Sequence, residues 1–423
     1  MKKFLLPLVA PIASIALLVI SVAPFISFIS VHLEAVGVSK TIIGIIHSSF
    51  YAGFLLGSIY ADRVIKRVGY IRSFAALASL YAGTVLCQGM VEQHIVWILA
   101  RFIGGFCVAA LYVIIESWLL IQSEVHNRGK VLAIYMITMY AGQAFSQLLM
   151  QIFPPLSILP YLLTGVIAAM SVLPVSLMRI QSPEASDDHG VKIKVLTIYK
   201  KAPFGFLGCF IAGCILSSIY SFIPNFAYDM KFSVAIIMFL TIGGGFILQW
   251  PIGHLSDLLD RRKVLLGVTF LILVPSIFVF FLASYMHFVF ICSFLLGGLC
   301  FTLYPLSITQ VCDRFESHQI SYVIGMLSLV FGIGAILGPI VSSLFMTAFT
   351  AKAVYLYIGG VASIFGLSGV FFIYKRPKPT PEAEKSDYVT LSISSPVAAE
   401  LDPRAIVENP HYKHEKKPDD KEE

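Results

Sequence analysis

Charged side chains are scarce in this chain. Lys, Arg, Asp and Glu make up only 13% of the 423 residues, whereas 57% are hydrophobic, and the mean hydropathy is +0.85. The charges are also concentrated, because the last 49 residues hold 20 of the 54. A soluble domain carries about 25% charged residues, so this composition excludes one and indicates a chain that spans a membrane.

Motifs for ATP hydrolysis and for metal-assisted hydrolysis are also missing. The sequence contains no Gly-x-x-x-x-Gly-Lys-Ser/Thr loop and no His-Glu-x-x-His pair. All seven cysteines fall inside apolar runs at no metal-ligand spacing, which predicts no disulfide framework, metal site or cofactor. We therefore expect neither an enzyme nor an ATP-driven pump. The net charge of +6 requires no nucleic-acid partner, because membrane topology accounts for it.

Twelve apolar runs are long enough to cross about 30 Å of hydrocarbon as helices. They predict an all-α membrane protein with twelve transmembrane helices in two pseudo-symmetric six-helix halves. The predicted divisions are the halves 1–180 and 204–374, a cytoplasmic linker 181–203 and a disordered cytoplasmic tail 375–423. The runs lie near 4–31, 41–61, 73–91, 95–120, 131–153, 158–178, 204–226, 234–256, 264–286, 288–312, 320–348 and 352–374.

Basic residues alternate between the loops on the two sides of the predicted bundle. The N-terminus and every second loop carry 17 Lys and Arg residues, the intervening loops carry three, and the tail adds nine. Because loops rich in Lys and Arg stay in the cytoplasm, both termini are predicted to be cytoplasmic. The expected location is the inner membrane of a bacterium.

Two short segments are versions of one another, one in each predicted half. Gly57–Gly69 and Gly253–Lys263 both run from a small residue through an apolar stretch to Asp and a basic cluster. Asp62 and Asp257 are either ordinary charged loop ends or a latch, in which Asp62 meets the N-terminus of helix 11 and Asp257 that of helix 5. The predicted cytoplasmic gate comprises Gly57, Asp62, Arg63, Arg67, Gly69, Arg72, Glu116, Arg128, Gly253, Asp257, Arg261 and Arg262.

These two segments resemble the loop signature of the major facilitator superfamily. A narrower likeness to its YcaD-like branch runs from about residue 10 to 375 and implies the fold without implying a substrate. The motifs that carry it are Arg101–Gly105, Glu116–Leu119, Asn127–Lys130, Tyr135–Met136, Leu303–Leu306, Cys312–Arg314 and Gly332–Pro339.

Ionisable residues inside the predicted spans are the next informative group, since each costs roughly 2.5–3.5 kcal/mol to insert. Arg101 and Glu116 lie in the fourth run, about 22 Å apart along a helix. The resemblance suggests proton coupling or anion binding for Arg101, with Glu34 as a possible partner, and a structural ion pair is the alternative. Glu116 is expected to join the gate.

Several polar residues in the spans either line a cavity or join helices. His47 is either a proton-transfer group or a packed residue, and Gln143 and Gln147 face one side of a helix by their i, i+4 spacing. Because polar groups in a span need partners or water, all are candidates for a coupling or substrate cavity. That predicted set is Glu34, His47, Arg101, Gln143, Gln147, Asn225, Gln249 and Tyr304.

Taken together, these features predict a secondary active transporter that moves a small solute by alternating access. Protons are the expected coupling ion, the lipid bilayer the surroundings, and a monomer the expected state. The alternative is a membrane sensor or scaffold that keeps the fold without transporting. Arg101 with both gate carboxylates favours transport over that alternative.

Overall fold

Twelve long helices make up the part of the chain that the structure describes. The structure is a computed structural model, and it describes residues 8–123, 127–177, 193–375 and 388–389. Eleven of these helices are long and apolar enough to cross a membrane, and α5, with 19 residues, is a less apolar twelfth, so the predicted all-α membrane fold is confirmed. The helices are α1 Val9–Ala35, α2 Lys40–Val68, α3 Tyr70–Met90, α4 His94–Gln122, α5 Arg128–Ser146, α6 Leu159–Leu177, α7 Pro203–Asp229, α8 Val234–Leu258, α9 Arg261–Leu282, α10 Met286–Cys312, α11 Ile320–Ala348 and α12 Ala353–Lys375.

Polar caps and a glycine set several helix boundaries. The Ser39 side chain accepts a hydrogen bond from the backbone N–H of Ile42 at the start of α2, and Asp260 does the same at the start of α9. These caps satisfy amide groups that have no partner within the helix. Gly69 separates α2 from α3 at φ 83°, a left-handed conformation that favours glycine, so the chain reverses there in one residue.

Corresponding helices of the two halves touch in the same way. Gly105 of α4 lies where a Cβ would overlap the carbonyl of Phe50 in α2. Gly297 of α10 stands in the same relation to the carbonyl of Thr241 in α8. Small residues are needed at such points because a side chain would push the two backbones apart. The repeated contact is what a duplicated six-helix design predicts.

The two halves meet along three helix pairs: α1 with α7, α2 with α11, and α5 with α8. Because α1 begins and α12 ends at the same end of the bundle, we call that end the terminal face. The opposite end, the distal face, carries the turns that follow α1, α3, α5, α7, α9 and α11. The gate segments lie at the terminal face, where α2 and α8 end.

The predicted linker and tail fall largely outside the described residues. The described end of the linker contains a short helix, Val195–Lys201, which buries Ile198. Of the predicted disordered tail, Lys375 is the last residue of α12. The other described tail residues are Tyr388 and Val389, and both are partly buried. The predicted limits of the halves stay predictions.

Candidate functional site

A cavity lies between the two halves, near the middle of the bundle. It has a volume of ≈ 130 Å³ and is lined from both halves, by α1, α2, α4 and α5 on one side and by α7, α10 and α11 on the other. Gln143 and Tyr304 are the two predicted cavity residues that line it. Its position between the halves matches where transporters of duplicated design hold their substrates.

Aromatic rings dominate the cavity wall, and charge is absent from it. The lining residues within the described ranges include no Asp, Glu, Lys, Arg or His. Tyr304 packs edge-on against Phe331 with ring centroids 4.9 Å apart, and its hydroxyl lies 2.9 Å from Ser328 Oγ. Such a wall offers apolar ring faces with a few hydroxyl and amide groups. The nine aromatic lining residues are Phe50, Tyr51, Phe54, Tyr112, Tyr140, Tyr220, Phe301, Tyr304 and Phe331.

Glutamines connect the halves around this cavity. The Tyr220 hydroxyl of α7 donates to Gln143 Oε1 of α5 at 2.6 Å. Gln249 of α8 is buried, and its Nε2 donates to the Tyr140 hydroxyl at 2.9 Å and to the Phe301 carbonyl at 3.1 Å. Gln249 therefore lies behind the wall and positions two residues that line it. The bonds from Tyr220 to Gln143 and from Gln249 to Tyr140 cross between the halves, so they must rearrange if the halves move apart here.

Buried hydrogen bonds between the halves close the bundle on the distal side. The Ser30 hydroxyl donates to the Ser221 carbonyl at 2.8 Å, and the Asn225 amide donates to the Ser30 carbonyl at 3.0 Å. The Ser48 hydroxyl of α2 donates to the Ile336 carbonyl of α11 at 2.7 Å. His47 lies in this closure, with Nε2 2.8 Å from Ser30 Oγ. A ring placed here can affect closure when it gains a proton.

An ion cluster reinforces the same closure. Lys40 Nζ lies 2.5 Å from Glu34 and 2.9 Å from Asp229, and this second contact crosses from one half to the other. Asn225 also donates to Glu34, at 2.9 Å. The expected pairing of Glu34 with Arg101 is therefore wrong. The chain turns at Gly37, and this turn places the Lys40 ammonium group, rather than the Arg101 guanidinium, beside the Glu34 carboxylate.

Arg101 is buried, with 2% of its surface exposed, and lies behind the cavity wall. Its guanidinium carbon lies 4.2 Å from the centroid of the Phe50 ring, a cation–π contact with a lining residue. Nε and Nη2 have no hydrogen-bond partner among the described residues, and none of the described carboxylates forms an ion pair with it. A structural ion pair was the alternative for Arg101, and the described residues supply no partner for one.

Gln147 takes a position different from that of Gln143, one helical turn away. It follows the last residue of α5 and begins a short 3-10 helix, Gln147–Gln151. Its Oε1 accepts a hydrogen bond from the Ser27 hydroxyl of α1 at 2.8 Å. Gln147 thus joins two helices of the same half and stays outside the cavity wall. The sequence left both roles open: Gln143 lines the cavity and also joins two helices, whereas Gln147 only joins helices.

The gate carboxylates do not reach the opposite half in this conformation. Asp62 is exposed and forms no hydrogen bond or ion pair with a described residue. Asp257 pairs with Arg261 at 2.7 Å, and Arg261 binds Asp313 as well, so these two described ion pairs lie within one half. The latch from Asp62 to α11 and from Asp257 to α5 therefore stays a prediction, for a state in which the terminal face is closed.

Each described contact of the remaining gate candidates joins residues of the same half. The Tyr135 hydroxyl of α5 donates to Glu116 of α4 at 2.5 Å. Arg262 binds Asp260 through Nη2 at 2.9 Å. Partial burial acts to raise the pKa of Asp260, but the hydrogen bonds and charge of Arg262 outweigh it, so the pKa lies below its usual range. The others are Gly57, packed on the α4 backbone; Arg63, over the Tyr60 ring; Arg67 and Arg72, both exposed; Gly69, in the turn; Arg128, buried at the start of α5; and Gly253, on α8.

Comparison with known proteins identifies the family. The sequence profile of the Major Facilitator Superfamily matches residues 11–250 and 234–410. The chain belongs to the Major Facilitator Superfamily. Among similar superfamily members, a protein of Shigella flexneri serotype 5b (strain 8401) described as an uncharacterized MFS-type transporter YcaD is 29% identical over 384 residues, covering 90% of this chain and 99% of that protein. The YcaD of Salmonella typhi is 28% identical over the same coverage. The predicted resemblance to the YcaD-like branch is confirmed.

Solved structures of other superfamily transporters share the fold. The nucleoside transporter NupG superposes with a TM-score of 0.68 at 18% identity, covering 88% of this chain and 99% of that one. A bacterial homologue of the human lysosomal transporter Spinster gives a TM-score of 0.69 at 14% identity, covering 90% and 98%. The protein is thus a multi-pass membrane protein of a transporter family.

Sequence reasoning missed most of the cavity wall and the charges that close the distal face. Lys40 was counted only as a loop charge, and Asp229 was not considered. Tyr51, Phe54 and Ser58 repeat at three- and four-residue intervals along one face of α2, a signal for a shared surface that was available in the sequence. Nothing in the sequence indicated that this face would point at the cavity.

Proposed function

We propose that this protein is a secondary active transporter that moves a small solute by alternating access. In this proposal the terminal face is cytoplasmic and the structure is an inward-facing conformation. The central cavity carries the proposal, because it lies between two halves that are bonded together on its distal side. The gate carboxylates, which do not engage the opposite half, agree with an inner side that is not latched.

The cavity wall supports an uncharged solute that has a planar ring. A charged solute would leave water for a wall without a counter-charge, and that transfer is costly. A planar ring can stack on the Tyr and Phe side chains, while Gln143, Ser217 and Ser328 offer hydrogen bonds to hydroxyl or amide groups. Nucleosides have this chemistry, and one of the structural neighbours transports them.

Protons are the proposed coupling ion. His47 sits in the closure of the distal face, and Arg101 lies one residue layer behind the cavity wall. Protonation of His47 would add a charge beside buried Ser30 and favour separation of the halves there. The sensor or scaffold alternative explains neither a cavity lined from both halves nor a buried Arg beside it. We propose a monomer in the inner membrane of a bacterium.

Uptake into proteoliposomes tests the solute class. We expect purified protein to take up radiolabelled nucleosides above the level of empty liposomes, and an imposed pH gradient to increase the initial rate. Nucleoside monophosphates are the matched competitors, since they differ by one charged group, and we expect them not to compete. Equal competition by nucleosides and monophosphates would contradict an uncharged solute. Unchanged uptake with and without the gradient would contradict proton coupling.

Reporter fusions test the proposed orientation. A reporter placed after Lys201, beside the terminal face, is expected to read cytoplasmic, because that side carries most of the Lys and Arg residues. A reporter inserted at Lys231, in the turn between α7 and α8, is expected to read external. The two insertions control for each other. Reversed signals would place the distal face in the cytoplasm and make the structure outward-facing.

A further inference from the structure

Two residues of the C-terminal tail are docked on the gate end of α8. The backbone N–H of Tyr388 donates to Asp257 Oδ1 at 2.9 Å. The Tyr388 ring covers Gly253, so closely that even a Cβ on that glycine would overlap it. Val389 packs beside it against the hydrophobic core. The tail therefore contacts both the glycine and the carboxylate of the second gate segment.

This contact uses the groups that the closed gate would need. The N-terminus of a helix presents backbone N–H groups that have no partner in the helix and carry partial positive charge. The latch predicted from the sequence has Asp257 accept such groups from α5. Tyr388 presents a backbone N–H of the same kind to the same carboxylate. Its ring also fills the space over Gly253, where an approaching helix backbone would otherwise fit.

One oxygen of Asp257 takes both contacts in this arrangement. Arg261 Nη2 lies 2.7 Å from Oδ1, the oxygen that also accepts the Tyr388 N–H, and Arg261 binds Asp313 of α10 as well. Arg261 is buried, so breaking its contact with Asp257 would be costly, and the tail N–H is the partner that is more easily exchanged. A helix end that reaches Asp257 across Gly253 must displace the Tyr388 ring, because that ring fills the space over the glycine.

We propose that Tyr388 and Val389 form an intramolecular strap that docks on Gly253 and Asp257 and holds the terminal face open. The strap stabilises the inward-facing conformation and must undock before the terminal-face end of α5 approaches that of α8. Its effect on transport rests on the proposed alternating access. Its effect on the balance between the two conformations does not depend on any substrate or coupling ion.

Labelling of one introduced cysteine on the distal side tests the strap. Ser343 is buried in the closed distal face, next to Gly44, so a Ser343→Cys reporter reacts only when that face opens. The background carries Cys87→Ser, because Cys87 is partly exposed while the other six cysteines are buried. The rate of maleimide labelling is measured on the full-length protein in detergent, without substrate. Size-exclusion chromatography verifies that each variant is folded and monodisperse.

Substitutions in the tail give a matched series. Tyr388→Ala removes the ring over Gly253 and is expected to raise the labelling rate by at least about fivefold, the lower end of typical coupling between sites. Tyr388→Phe keeps the ring carbons that cover Gly253 and is expected to label at the wild-type rate. Tyr412→Ala removes another tyrosine of the same tail, outside the described residues, and is expected to leave the rate unchanged.

Two results would overturn the strap. One is a Tyr388→Ala protein that labels at the wild-type rate, and the other is an equal increase with Tyr412→Ala. Failure of the transport proposal can be distinguished from failure of the strap proposal, because the labelling assay contains no solute and no pH gradient. If uptake fails for every solute while Tyr388→Ala still labels faster, the strap stands and the transport proposal falls.

Discussion

A disulfide across the distal face is expected to stop transport completely. Thr41 of α2 and Thr347 of α11 place their hydroxyl oxygens 3.4 Å apart, so cysteines introduced at both positions can reach each other without backbone movement. A covalent bond there prevents the separation of the halves that alternating access requires. Oxidation of the Thr41→Cys, Thr347→Cys protein in proteoliposomes should reduce solute uptake to the level of empty liposomes, and a reducing agent should restore it.

The single variants control for this experiment. Thr41→Cys and Thr347→Cys alone, treated with the same oxidant, should keep their uptake, because the six buried native cysteines are shielded and Cys87 lies in α3. A shift in gel mobility that is lost on reduction verifies that the bond has formed. Continued uptake by the cross-linked protein would exclude movement at this contact as part of the transport cycle.

Replacing Arg101 by Ala is expected to lower the transport rate by at least about 100-fold, equivalent to about 2.7 kcal/mol of barrier. The guanidinium is buried and has no carboxylate partner among the described residues, so keeping its charge inside the span is costly. That cost indicates that the transport cycle uses the charge. Arg101→Lys keeps the charge and loses the planar fork. If charge alone supports coupling, the Lys variant retains a substantial share of transport, and this is the result we expect.

Two other outcomes assign Arg101 differently. Failure of both variants indicates that the planar group binds a carboxylate or the solute with two hydrogen bonds at once. A purely packing role predicts that Arg101→Ala lowers thermal stability while the surviving protein transports at the normal rate. Measuring melting temperature and initial uptake on the same preparation separates these cases, and the second outcome would remove Arg101 from the candidate site.

Hydropathy predicted the helices because the membrane imposes the same requirement on every span. A segment of about 20 apolar residues must satisfy its backbone internally, so it forms a helix whatever its neighbours are. One exception was α5, where the apolar run 131–153 becomes the helix Arg128–Ser146 followed by the 3-10 helix Gln147–Gln151. The last turn changes its hydrogen-bonding pattern where Gln147 binds α1, a tertiary contact that hydropathy does not record.

The site was harder to predict because it depends on the rotation and the conformational state of the helices. The i, i+4 spacing fixed Gln143 and Gln147 relative to each other, but not which neighbour each would face. Gln143 meets Tyr220 of the opposite half, whereas Gln147 meets Ser27 of its own half. Glu34 was assigned to the wrong cation because a helix-by-helix view overlooked Lys40, which the turn at Gly37 brings close.

The distal closure has a further consequence for how chains of this kind can diverge. Two of its bonds run from the hydroxyls of Ser30 and Ser48 to main-chain carbonyls, at Ser221 and Ile336. A main-chain oxygen is present whatever the residue type, so the two accepting positions can be substituted by other residues that fit the space. The two donating positions cannot be substituted by residues without a hydroxyl, because the hydrogen bond would then be lost. Constraint on these two bonds is therefore unequal: the first half must keep its two hydroxyls, while the second half need only keep its backbone in place at Ser221 and Ile336.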